Sequence, residues 1–346
     1  MTGRLLLLNA AVTLALLPAP GVAVMAGPLA QDPPITKFRS AIDVVSVSAV
    51  VRDRKGRFVG NLGQKDFIVA EGGQTKPILD FRAQADGPVK LALLFDISGS
   101  MRVGSKATDA RQAARHLFGS LRQGDEAAVF SFDTRLDHVT PFTSDLASLE
   151  AALDHVEAPF GQTSLYDAVA ETARAVAALG PGTGRVPQRS AVVVLTDGID
   201  TRSRLTADQV SSIASSIDIP VYIVAVMSPI DDLRQAAEVR ETPESPLSSL
   251  ARLTGGEMFI ASAPAHASVA ARQIVDELRH QYVLAFEASG GDGWRSLEVR
   301  ARDNALTVRA RSGYSSGTSG LIAKAGKTTA QTESTAQLNI EVRRQR

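Results

Sequence analysis

From about residue 88 onward, short apolar runs alternate with longer amphipathic stretches. Strand-length apolar runs fall at 90–95, 126–132, 190–196, 220–227 and 257–261. Between and after them, helical periodicity is found at 106–121, 145–156, 164–179, 205–217, 246–254 and 266–280. Runs that are apolar at nearly every position suit strands covered on both faces. Their alternation with helices predicts an α/β fold, a doubly wound and mostly parallel sheet with helices on both sides. Residues 133–135 followed by 136–140 predict one hairpin that adds an edge strand.

The pattern is different on either side. Residues 37–86 read as short strands at 44–51, 66–70 and 77–81, separated by turns at 54–57 and 71–74. Strands return after 281, at 282–286, 294–301 and 305–310. Leu297, Val299 and Ala301 share one face, with Glu298, Arg300 and Arg302 on the other. Leu306, Val308 and Ala310 answer them across an Asp303-Asn304 turn, which predicts a hairpin with Arg309 and Arg311 on its solvent side. The two β portions are expected to join into one sandwich beside the α/β region.

At 346 residues the chain is long enough for about two domains. Its 44% hydrophobic and 21% charged residues are those of an ordinary folded protein. A formal net charge of zero argues against a generally basic nucleic-acid binder. With no cysteine, a disulfide framework, a thiolate metal site and a lipid-modified N-terminal Cys are excluded.

The N-terminus has the form of a secretory signal. Arg4 gives it a positive start, residues 5–17 an apolar core, and Ala23 and Ala26 small residues for cleavage. Cleavage is expected after Ala26, and the mature chain is expected to be periplasmic or secreted, with no transmembrane segment. Residues 315–346 are rich in Ser, Thr, Gly, Ala and Gln and are expected to be a disordered tail, with a short strand conceivable at 338–340. The expected organisation is a signal at 1–26, β portions at 37–86 and 282–314 around an α/β domain at 88–281, and a tail from 315.

The chemistry concentrates in Asp96-Ile97-Ser98-Gly99-Ser100, where the 90–95 strand ends. One carboxylate and two hydroxyls stand at alternate positions. Thr163 in Gly161-Gln162-Thr163-Ser164-Leu165 and Asp197 in Leu195-Thr196-Asp197-Gly198 extend the set of oxygen donors. Each has an ordinary reading: Asp96 and the serines as helix caps, Thr163 or Ser164 as an N-cap with Asp167 closing a capping box, Asp197-Gly198 as a turn. Together, at the ends of successive strands, they read as a site for a hard divalent cation such as Mg²⁺ or Mn²⁺, which takes oxygen ligands and keeps positions open. Ligands of open α/β sheets gather at such strand ends.

Asp-x-Ser-x-Ser, a later Thr before a helix, and Thr-Asp-Gly after another strand resemble a von Willebrand factor type A (VWA) domain over about residues 88–281. The resemblance implies a metal-ion-dependent adhesion site of Asp96, Ser98, Ser100, Thr163 and Asp197. It implies direct ligation by Ser98 and Ser100, action through water for Asp96 and Asp197, and a Thr163 that enters or leaves the shell. The flanks resemble the VWFA-related acidobacterial domain proteins. That likeness rests on Val51-Arg52-Asp53 with Gly56, Asp66-Phe67 with Glu71-Gly72-Gly73, and Leu278-Arg279-His280-Gln281-Tyr282. It also includes Gly293-Trp294-Arg295 through to Arg311-Ser312-Gly313-Tyr314.

Enzyme readings fare less well. Gly313-Tyr314-Ser315-Ser316-Gly317 has the Gly-x-Ser-x-Gly spacing, but no His follows His280, so it reads as a chance match in the flexible tail. The histidines at 116, 138, 155, 266 and 280 have no metal-ligand spacing. A phosphate loop and a dinucleotide fingerprint are both missing. The expectation is therefore an exported, non-enzymatic, divalent-metal-dependent adhesion or assembly protein. Its partner would be a protein with an exposed Asp or Glu. A metal-dependent hydrolase or phosphatase using Asp96, and a structural protein with an internal metal site, are the alternatives.

Overall fold

The computed structural model describes residues 44–83, 87–156, 161–179, 189–198, 200–227, 245–291 and 293–316. The expected signal at 1–26 and the possible strand at 338–340 lie outside them. Among the described residues no helix is long and apolar enough to cross a membrane.

Fourteen strands and six helices follow one another among the described residues. The central sheet consists of β5 (Val89–Asp96), β6 (Glu126–Phe132), β7 (Leu136–Thr143), β8 (Arg189–Thr196), β9 (Val221–Val226) and β10 (Met258–Ala261). Its spatial order is β10-β9-β8-β5-β6-β7, parallel throughout except for the antiparallel edge strand β7. The order reverses between β5 and β8. There, chain crossings leave in opposite directions and open a crevice at the carboxyl ends of the two strands.

The apolar runs are explained by burial on both faces. Along β5, Leu91, Leu93 and Phe95 enter one core, and Ala92 and Leu94 the other. On β8, Ala191, Val193 and Leu195 alternate in the same way with Val192 and Val194. Helices α1 (Lys106–Phe118), α2 (Leu146–His155) and α6 (Pro264–Arg279) cover the first face. Helices α3 (Leu165–Ala178), α4 (Ala207–Ser216) and α5 (Pro246–Thr254) cover the second. The doubly wound, mostly parallel α/β sheet read from the hydrophobic pattern is the one observed.

The flanking strands form two four-stranded antiparallel sheets, β13-β1-β11-β4 and β14-β12-β2-β3. These strands are β1 (Val44–Arg52), β2 (Phe67–Glu71), β3 (Gln74–Lys76), β4 (Ile78–Ala83), β11 (Gln281–Glu287), β12 (Gly293–Ala301), β13 (Thr307–Ala310) and β14 (Gly313–Ser316). Each sheet mixes strands from both sides of the α/β region, and Val47, Phe67, Val69, Leu284, Phe286, Leu297 and Tyr314 share the core between them.

Three expectations are corrected here. First, β12 and β13 do not pair as a hairpin. β12 pairs with β2 and β14, whereas β13 pairs with β1 in the other sheet. The Asp303-Asn304 turn therefore carries the chain from sheet to sheet; alternation had fixed the face of each strand but not its neighbour. Second, Arg309 and Arg311 do not face solvent. Arg309 pairs with Glu257 and Glu277 of the α/β region. Arg311, 4% exposed, donates to the carbonyls of Ser215 and Ser46 and lies 3.3 Å from Asp218. The solvent side of β13 became the seam between sandwich and α/β region. Third, Ser315 and Ser316 belong to β14, opposite Trp294 and Gly293, rather than to a tail, so the Gly-x-Ser-x-Gly match begins in a paired strand.

Glu71, 3% exposed, shows how the sandwich holds a buried charge. Burial alone would push its carboxyl up. Hydrogen bonds from Ser289, Tyr314 and Lys76 outweigh that and bring it down to about 2. A depressed carboxyl contributes stability above its ordinary value of 4.5, lost as pH falls towards 2. Urea unfolding between pH 5 and 2 should show a loss on the order of 1–3 kcal/mol from this group. Glu71→Gln should be less stable at neutral pH and flatter across that window.

Candidate metal centre

The crevice between β5 and β8 gathers the predicted oxygen donors. Asp96 is the last residue of β5 and Asp197 follows β8, so the parallel pairing of Phe95 with Leu195 brings the two carboxylates side by side. Asp96 is fully buried. Its Oδ1 accepts from the Ser98 backbone N–H at 2.8 Å and its Oδ2 from the Thr196 hydroxyl at 2.6 Å. The first bond folds Asp-x-Ser into a tight turn that sends both serine hydroxyls back over the strand end.

From there a chain of side-chain contacts runs across the crevice. Ser98 Oγ lies 3.0 Å from Ser100 Oγ, and Ser100 Oγ donates to Asp197 Oδ1 at 3.1 Å. Asp197 Oδ2 accepts from the ammonium of Lys106 at 3.0 Å. Ser98, Lys106 and Asp197 are all buried, and Ser100 is half-buried.

Thr163 joins through the backbone. The Gly99 N–H donates to the Gly161 carbonyl at 3.0 Å, tying the serine turn to the loop that carries Thr163. Thr163 is 2% exposed; its N–H donates to Thr201 Oγ1, and its carbonyl accepts from the N–H groups of Thr201 and Arg202. The capping reading of this loop is replaced. The N–H groups of Leu165, Tyr166 and Asp167 at the start of α3 are satisfied by Asp200 and Ser203, not by Thr163 or Ser164. Asp167 instead accepts from the backbone of Arg204 and Leu205. Thr163 is thus held in place without its hydroxyl serving as a cap.

The donor set suits a hard cation. Neighbouring oxygens in an octahedral shell of radius roughly 2.0–2.1 Å stand about 2.9 Å apart. The Ser98–Ser100 and Ser100–Asp197 separations of 3.0 and 3.1 Å are close to that spacing. Among the described residues no group of three or more His, Cys, Asp or Glu gathers. A site here must therefore draw on hydroxyls, which suit Mg²⁺ or Mn²⁺ and not a soft metal.

Burial pushes the Asp96 carboxyl up to about 7, against the hydrogen bonds from Thr196 and Ser98, with the Asp197 charge adding to the rise. Uptake of a cation beside Asp96 is therefore coupled to ionisation of this carboxyl. Sequence reasoning missed Thr196, Lys106, Thr201, Asp200 and Ser203. Thr196 was within sight, in the same Thr-Asp-Gly as Asp197. The others come from outside the quoted motifs and reveal themselves only through folding.

The sequence model described as the von Willebrand factor type A domain matches residues 91–199. Among solved structures, an aerotolerance-related membrane protein from Bacteroides fragilis is 19% identical, with 55% of this chain and 98% of that chain covered and a TM-score of 0.43. A von Willebrand factor type A protein from Catenulispora acidiphila is 14% identical, covering 82% and 76%, with a TM-score of 0.46. Proximal thread matrix protein 1 from the mussel byssus, with a zinc-occupied metal-ion-dependent adhesion site, is 17% identical, covering 60% and 49%, with a TM-score of 0.44. No curated protein matches the chain.

Calorimetric titration should show Mg²⁺ or Mn²⁺ uptake that raises the thermal midpoint by mass action and is lost in Asp96→Ala. Affinity should climb as pH rises through about 7, with protons released below it, because a neutral Asp96 carboxyl attracts a cation less than its carboxylate does. Equal uptake by wild type and Asp96→Ala would contradict the assignment.

Proposed function

Because this chain carries a von Willebrand factor type A domain, we propose that it is an exported, divalent-metal-dependent adhesion or assembly protein that captures an acidic group of a partner protein. Asp96, Ser98, Ser100, Thr163 and Asp197 hold Mg²⁺ or Mn²⁺, and the bound ion supplies a positive charge for an incoming carboxylate. The observation that carries this reading is the run of oxygens from Ser98 through Ser100 to Asp197 at the sheet's switch point, with Asp96 holding the turn by accepting from the Ser98 N–H.

The surface beside the site agrees with an acidic partner. Arg135, Arg202 and Arg204 are exposed and line a groove with Ser164, Asp167 and Glu171, next to Thr163. Against the three arginines stand the carboxylates of Asp167 and the exposed Glu171, which leaves one positive charge in excess along the groove. Positive charge on the rim steers acidic groups and increases association rates, an effect that salt screens.

The hydrolase reading is weakened by Asp96 itself. A hydrolase needs a general acid or base beside its nucleophile, and Asp96 is held by the Ser98 N–H and the Thr196 hydroxyl, neither of which serves as one. The internal-site reading draws support from burial, since Ser98, Thr163 and Asp197 are each at most 3% exposed. Partner capture separates it from adhesion. The full chain, immobilised, should retain a partner from the native envelope with Mg²⁺ and lose it with chelator. Thr163→Ala should weaken capture several-fold more than it weakens metal uptake. Capture indifferent to chelator would place the interaction on another surface, and metal-dependent stability without any capture would favour the internal site.

A further inference from the structure

Lys106 is the residue of the site for which the metal motif has no use. It opens α1, is 2% exposed, and places its ammonium 3.0 Å from Asp197 Oδ2. Two costs stand against a lysine here. Burial disfavours its charge, and the positive end of a helix dipole repels it. The Asp197 carboxylate, one of its partners, works against both. It does so with one oxygen only, because its other oxygen accepts from Ser100. One carboxylate is therefore shared between the hydroxyl cluster and a tethered cation.

We propose that Lys106 sets the charge of the metal site, substituting for the cation in its absence and leaving a bound cation under-neutralised in its presence. The proposal rests on the metal-site reading above. In the loaded site Asp96 and Asp197 bring two negative charges and Lys106 opposes one, so these three groups together present a divalent ion with a single net negative charge. The loaded site is left with one positive charge. That surplus favours a carboxylate from outside over a neutral ligand or water. Without Lys106 the two aspartates would neutralise the ion, and its pull on an external carboxylate would fall. Lys106 thus weakens metal uptake and strengthens anion capture, two effects of opposite sign that a purely structural lysine would not produce.

The full-length chain and Lys106→Met are titrated with Mg²⁺ and Mn²⁺ by calorimetry. The Mn²⁺-loaded proteins are then titrated with acetate, and the loss of water-proton relaxation is followed as acetate replaces bound water. Lys106→Met should bind metal about tenfold or more tightly, have a lower metal-free thermal midpoint, and bind acetate several-fold more weakly; Lys106→Arg should stay close to wild type. Metal affinity that is unchanged or weaker in Lys106→Met would overturn the role of Lys106 and leave the metal site standing. No uptake by either protein would overturn both. If Lys106→Met does not fold even with metal, lysine-selective ¹⁵N spectra of the wild type decide. A Lys106 ammonium resonance that shifts with Mg²⁺ supports the proposal, and one unmoved while metal binds contradicts it.

Discussion

Two carboxylates kept out of water at the ends of neighbouring apolar strands are the constraint around which this fold is arranged. Unpaired, a buried carboxylate costs several kcal/mol or more and would take up a proton or unfold its surroundings. Asp96 and Asp197 are accommodated because neighbouring elements supply donors, although burial still pushes the Asp96 carboxyl up to about 7. The turn after β5 gives the Ser98 N–H, β8 gives the Thr196 hydroxyl, and α1 gives the Lys106 ammonium. The parallel sheet makes the arrangement possible: only at the switch point do two strand ends lie side by side with their connections leaving in opposite directions.

A second set of buried charges joins the α/β region to the sandwich. Glu277 of α6 is fully buried and accepts from Arg52 of β1 and Arg309 of β13. Within the α/β region itself, Arg279, two residues on, pairs with the buried Asp125 just ahead of β6. Such pairs contribute little net stability over an apolar seam, but losing either partner leaves an uncompensated charge and costs about 3–5 kcal/mol. They therefore fix orientation. At Gly256, a Cβ would lie 2.0 Å from the Val221 carbonyl, so α5 can reach β10 only through a glycine.

What the sequence discloses depends on distance along the chain. Ser98 and Ser100 are legible because the turn that orients them lies within two residues of Asp96. The sheet is legible because burial on both faces removes polar residues from β5 and β8 altogether. Lys106 is not legible, since its partner is 91 residues away and a lysine opening a helix looks like a solvated one. The N-terminal caps of α3 escape notice for the same reason: Asp200 and Ser203 arrive from a loop more than thirty residues downstream. The strands β12 and β13 show a further limit. Alternation told which side chains of β13 point together, but neither that it pairs with β1 nor that its arginine side meets another layer.

The central claim is that the oxygens gathered at the β5–β8 crevice bind a divalent cation together. Anomalous diffraction from crystals of the full chain soaked in Mn²⁺ tests it most directly. The account predicts a peak within about 2.2 Å of both Ser98 Oγ and Ser100 Oγ, beside Asp96, Thr163 and Asp197. A well-ordered crevice with no peak, or a peak bound by other residues, would contradict it.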